Sequence, residues 1–146
     1  MSTKDSIIAL SGAFDPVNVG HIRMFRGAQN FGKVIIILNS DEWTISKKGF
    51  VLMPWNERKE ILMSINGIHD VVSVDDKDGT VCEALKRIKP NVFGNGGFRT
   101  VYNTPERDLC HELGIACVWG IGGGEKDSHS NDIVDKIFNI KIQKRR

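Results

Sequence analysis

Short apolar runs rich in β-branched residues recur along this chain at Ile7–Leu10, Val34–Leu38, Val71–Val74, Val92–Phe93 and Ile115–Val118. Each is bounded by Gly, Asn, Asp or Pro, so each reads as a strand. Their unbroken apolar character suits parallel strands covered on both faces. Between them lie stretches of helical periodicity. Gly20–Phe31 carries Ile22, Met24, Phe25 and Ala28. Asn56–Ile65 carries Ile61, Leu62 and Ile65 and follows Pro54. Thr80–Ile88 places Val81, Ala84, Leu85 and Ile88 on one face and is stopped by Pro90. Pro105–Leu113 follows Thr104 as N-cap and ends at Gly114, and a last helix runs from near Ser130 to Phe138. The order βαβαβαβαβα predicts a Rossmann-like α/β fold, an open parallel five-stranded sheet with helices on both faces and right-handed crossovers. Ligands of such sheets bind beyond the carboxyl ends of the strands, where the strand order reverses.

The 146 residues suit one domain, read here as 1–146. A chain of this length buries roughly 68–70% of its unfolded surface, so no disulfide or metal staple is required. A net charge of +2 gives no electrostatic case for nucleic acid, and the basic end 141–146 reads as a solvated tail. Cys82, Cys110 and Cys117 are odd in number and lack metal-ligand spacing, which predicts free thiols and no metal site. The start, Met1–Asp5, is polar, and the longest apolar run, Val34–Leu38, is too short to span a bilayer. The expectation is a cytoplasmic protein with no membrane partner.

Directly after the first strand stands Ser11-Gly12-Ala13-Phe14-Asp15-Pro16-Val17-Asn18-Val19-Gly20-His21, and a helix follows at once. Gly12 lets the backbone leave the strand sharply and approach a ligand. Gly20 and His21 open a helix whose free N–H groups and dipole favour phosphate oxygens. Asn18 and His21 are three residues apart, a spacing that brings both side chains toward one phosphate.

This segment resembles the GxFDPxHxGH signature of the HxGH nucleotidylyltransferase superfamily, in its cytidylyltransferase-like branch. The resemblance continues along most of the chain. Asn39-Ser40-Asp41-Glu42-Trp43 is similar to the "STDEF" stretch of glycerol-3-phosphate cytidylyltransferases, and Lys47 aligns with that family's phosphate-binding lysine. Arg58 falls in a match to "RKLIL", and Asp70-Val71-Val72 in a match to "VDEV". Ile88 to Gly97 resembles the "PDxxxxGGD" segment of heptose-phosphate adenylyltransferases, and Ser128-His129-Ser130-Asn131 stands where the family has a Ser/Thr cluster.

The resemblance implies an enzyme that moves CMP or AMP from CTP or ATP to a small phosphorylated acceptor, such as glycerol 3-phosphate or a sugar phosphate, releasing pyrophosphate. It assigns catalysis to His21, Asn18 and Lys47, the last on a mobile loop beside Gly49. It assigns nucleotide binding to Gly12, Ala13, Phe14, Asp15, Gly20, Asn95, Gly96, Gly97, Arg99, Ser128 and Ser130, and acceptor binding to Arg58. Mg²⁺ accompanies the triphosphate, and a homodimer is implied. The chain departs from the pattern at Asn18, where the family motif has its first histidine, and at Phe98, where it has an aspartate. An aromatic ring accepts no proton and supports no metal. These departures define the alternative, a nucleotide-binding pseudoenzyme that has lost catalysis through Asn18 and Phe98.

Overall fold

A computed structural model describes residues 5–96, 104–122 and 135–141. In chain order the elements are β1 (Ile7–Gly12), α1 (Val19–Ala28), β2 (Lys33–Leu38), α2 (Asp41–Lys48), α3 (Trp55–Met63), β3 (Ile68–Val72), α4 (Cys82–Ile88), β4 (Val92–Gly96), α5 (Thr104–Leu113) and β5 (Ala116–Ile121). Residues 135–141 are also helical, within the span expected for the last helix and three residues past it. The sheet is all parallel in the order β3-β2-β1-β4-β5. The Rossmann-like α/β reading is therefore met. The chain reverses direction across the sheet between β1 and β4, which makes the crevice beyond their carboxyl ends the place for a ligand.

Period-two alternation sorts the strand residues into two cores. Ile8, Leu10, Val34, Ile36 and Leu38 point to one face, packed with Phe25 and Ala28 of α1 and Leu62 of α3. Ala9, Ile37 and Phe93 point to the other, with Ala84 and Leu85 of α4 and Leu109 and Cys110 of α5. Helices therefore cover both faces. All three cysteines are free, and burial pushes the Cys110 thiol up to about 12, which leaves it an inert packing group. No helix among the described residues is long and apolar enough to cross a membrane.

Two departures from expectation matter for the site. First, the chain between β2 and β3 forms two helices, not one. The segment expected as a mobile loop around Lys47 is the helix α2. Its caps explain it: the Ser40 hydroxyl accepts the Trp43 N–H, Asp41 and Glu42 occupy the first turn, Lys47 and Lys48 the last, and Gly49 closes it at φ 88°. Second, β3 starts at Ile68 and ends at Val72, earlier than the apolar run suggests. Val74 lies beyond the strand, in the core formed by α4 and α5.

The Phe25 ring is 1% exposed and joins α1 to the sheet beside the Phe14 ring, at 5.4 Å. Phe25→Ala should lower unfolding free energy by about 3–5 kcal/mol in urea titration, with the slope unchanged.

Candidate active site

The site grows from the carboxyl end of β1. Gly12 pairs with Leu38, and its carbonyl accepts the Asn39 N–H at 3.0 Å. A Cβ on Gly12 would lie 2.9 Å from the Phe14 ring, so glycine is required here by the chain's own packing. Sequence reasoning assigned that freedom to an approaching ligand. Phe14 is buried with φ 47°, a conformation rare for a bulky side chain. Its ring meets the His21 ring edge-on at 4.9 Å.

Asn18 is the N-cap of α1. Its Oδ1 accepts the His21 N–H at 3.2 Å, and the Asn18 N–H donates to His21 Nδ1 at 3.1 Å, a reciprocal capping box. Because Nδ1 accepts, the proton of the neutral imidazole sits on Nε2, the nitrogen that donates. Asn18 is 9% exposed, and its Nδ2 amide is buried with no acceptor among the described residues. The Val19 and Gly20 N–H groups, in the first turn, reach no carbonyl within the helix. The end of α1 thus gathers backbone donors, an orphan amide and an imidazole N–H. That set suits phosphate oxygens.

Asp15 is fully buried, and its carboxylate accepts the Leu52 N–H at 2.6 Å and the Met53 N–H at 2.9 Å. It ties the loop after β1 to the segment before α3. Arg58 does the same from below. Its Nε donates to the Met53 carbonyl at 2.9 Å, its Nη1 to the carbonyls of Ala13 at 2.8 Å and Asn39 at 3.0 Å, and its Nη2 to Asp41 Oδ1 at 2.5 Å. The side chain is 0% exposed. Arg58 was expected at the acceptor; the structure instead occupies its fork with protein oxygens, so it braces the site from within.

Lys47 projects to solvent with its amine 5.8 Å from the Trp43 ring centre, and it lines a cleft of about 880 Å³ with Ser73 and Arg87. Lys48 is the lysine turned inward. It is half-buried and interacts electrostatically with Asp15 and Arg58. Desolvation by burial holds its ammonium below the ordinary 10.5; Asp15 opposes that shift and Arg58 reinforces it. Sequence reasoning missed Lys48 because it read a loop. With the caps of α2 recognised, Asp41, Thr44 and Lys48 fall at i, i+3 and i+7, one helix face.

Asn95 is buried on β4, beside β1, and Gly96 ends that strand, where a Cβ would meet Met24 Sδ at 2.7 Å. Gly97, Phe98, Arg99, Ser128 and Ser130 lie outside the described residues. No cluster of three or more His, Cys, Asp or Glu that suits a metal occurs among the described residues, and the Asp15 carboxylate is taken by backbone N–H groups.

The sequence profile described as cytidylyltransferase-like matches residues 9–122, a span that holds the loop, the capping box and all five strands from Ala9 onward. The chain belongs to the cytidylyltransferase-like family. Among relatives of this cytidylyltransferase-like chain, the bifunctional protein HldE of Geobacter metallireducens is 30% identical over 137 residues, covering 90% of this chain and 27% of that protein. An FAD synthase of Pyrococcus horikoshii is 32% identical over 110 residues, covering 73% of this chain and 68% of that one. The chain spans 57% of a further relative, the FAD synthase of Ferroglobus placidus. The crystal structure of a lipopolysaccharide core biosynthesis protein from Thermoplasma volcanium shares the fold, with TM-score 0.70 at 15% identity over 82% of this chain and 98% of that one.

Lys48 gives a pH signature. With the folded pKa lowered, the folded state binds fewer protons than the unfolded chain between that pKa and 10.5. The penalty on folding is therefore full at neutral pH and fades as pH rises toward 10.5. In melting curves, the stability of Lys48→Met relative to the native chain should fall as pH climbs through that window. A difference independent of pH would contradict the burial of Lys48.

Proposed function

We propose that this protein is a nucleotidyltransferase that moves CMP or AMP from the Mg²⁺ complex of CTP or ATP to a small phosphorylated acceptor and releases pyrophosphate. The observation that carries the reading is the orphan Asn18 amide, buried beside His21 at the start of α1 and at the carboxyl end of β1. A buried donor without an acceptor costs free energy unless a ligand supplies one, and a phosphoryl oxygen at that helix end does so. Family membership agrees, as does the likeness to an FAD synthase.

In this reading an acceptor phosphate oxygen attacks the α-phosphorus in line, and the bond to the pyrophosphate oxygen breaks. No covalent enzyme intermediate is needed. The protein aligns the reactants and stabilises charge on the phosphoryl oxygens through Asn18 Nδ2, His21 Nε2 and the first-turn N–H groups. Lys48, half-buried and facing Asp15, takes the phosphate-neutralising role first given to Lys47, and its charged form is favoured once phosphate arrives. Gly12 to Asp15, Gly20, Asn95 and Gly96 line the nucleotide side; Gly97, Arg99, Ser128 and Ser130, outside the described residues, keep the nucleotide-binding role that the resemblance implies, and a homodimer remains part of the proposal.

Asn18→Asp separates the cap from the chemistry. Aspartate caps a helix as well as asparagine, but it donates nothing and repels phosphate. Turnover should fall about 10²–10³-fold with little change in melting temperature. His21→Ala should cost at least about 10²-fold. The first assay is pyrophosphate release from CTP and from ATP, with Mg²⁺, against glycerol 3-phosphate and a panel of sugar phosphates. Release that depends on one acceptor supports transfer and names both substrates. Nucleotide-dependent thermal stabilisation with no release on any acceptor favours the pseudoenzyme that Asn18 and Phe98 define.

A further inference from the structure

Phe14 is a bulky residue held at φ 47°, where L side chains are rarely found, and it sits between the two ends of a mechanical chain. At one end, Arg58 Nη1 grips the Ala13 carbonyl, the peptide oxygen immediately before Phe14, at 2.8 Å. At the other, the Phe14 ring abuts His21 at 4.9 Å and Phe25 at 5.4 Å. Gly12 leaves the space in which that ring lies, since a Cβ there would come within 2.9 Å of it. Taking Arg58 away would leave three carbonyls and the Asp41 carboxylate without their donor, a loss that is costly in itself. What a guanidinium adds is directional: its donors reach Met53, Ala13, Asn39 and Asp41 together, and so lock three separate segments against each other.

We propose that Arg58 is a positioning residue for the transfer reaction: by clamping the Ala13 carbonyl it holds Phe14 in its left-handed conformation, and the Phe14 ring orients the His21 imidazole. The inference rests on the transfer reading for its kinetic consequence, but not for its structural one. Arg58 touches no reactant. Its effect passes through Ala13 and Phe14 to the ring that does.

The test uses Arg58→Lys, which keeps the charge and loses the fork, and Phe14→Leu, which keeps the clamp and removes the aromatic contact. Both are compared with the native chain by melting temperature, by NMR of the His21 ring nitrogens in the nucleotide-free protein, and by kcat and KM. Misplacing the imidazole should lower kcat about 10²-fold while the nucleotide KM stays within about threefold. The His21 ring signals should shift in Arg58→Lys, which keeps the Phe14 ring and its ring current. A brace of the fold alone predicts otherwise: a lower melting temperature, His21 signals as in the native chain, and full kcat below melting. That result in either folded variant overturns the proposal. If Arg58→Lys does not fold, Phe14→Leu decides, because an apolar exchange of this kind is tolerated in cores. If the native chain releases no pyrophosphate on any acceptor, the transfer reading fails, and the His21 signals alone still settle whether the clamp orients the ring.

Discussion

The structure turns on one buried guanidinium. Removing a charge from water costs several kcal/mol even after relaxation, and only close, well-aligned partners offset it. Arg58 finds them in three carbonyls and the Asp41 carboxylate. Those partners lie on the turn after β1, the link from β2 into α2 and the segment entering α3. The requirement to satisfy one fork therefore dictates how three pieces of chain meet above the sheet. Asp15 repeats the device with opposite sign, since its carboxylate collects the N–H groups of Leu52 and Met53. Two buried charges thus spend their bonds on backbone, and the loops at the carboxyl ends of β1 and β2 become rigid.

That rigidity is what the helix start needs. Asn18 serves α1 twice. Its oxygen and backbone N–H complete the capping box with His21, and its amide nitrogen is left over, buried and pointed at no protein acceptor among the described residues. The same capping bond selects the imidazole tautomer that donates through Nε2. Local helix chemistry and the proposed phosphate chemistry are therefore one arrangement, and asparagine at position 18 is a residue compatible with both.

Much of this was legible along the chain. The apolar runs gave the strands, because a parallel strand covered on both faces must be continuously hydrophobic. The Gly12–His21 segment pointed to the candidate site, because a strand, a tight turn and a helix start in sequence gather free N–H groups that suit a phosphate. The α2 helix was written in its caps, Ser40 and Gly49, yet its polar composition masked it. Reading it as a loop made Lys47 and Lys48 equivalent. Once the segment is helical, the two lysines differ by about 100° around the axis, and only one faces Asp15.

Arg58 shows where sequence reasoning ends. A cation beside a nucleotide loop reads as a ligand for phosphate, and no local pattern says otherwise. Its partners are 45, 19, 17 and 5 residues away, so its role is set by long-range packing alone. The sequence by itself determined the five strands, the parallel sheet, the described helices other than α2 and the loop that opens α1, since each follows from local periodicity and turn chemistry. Tertiary structure alone decided which charged side chains lie open at the candidate site and which are buried against backbone, because that depends on how segments distant in sequence converge on one guanidinium.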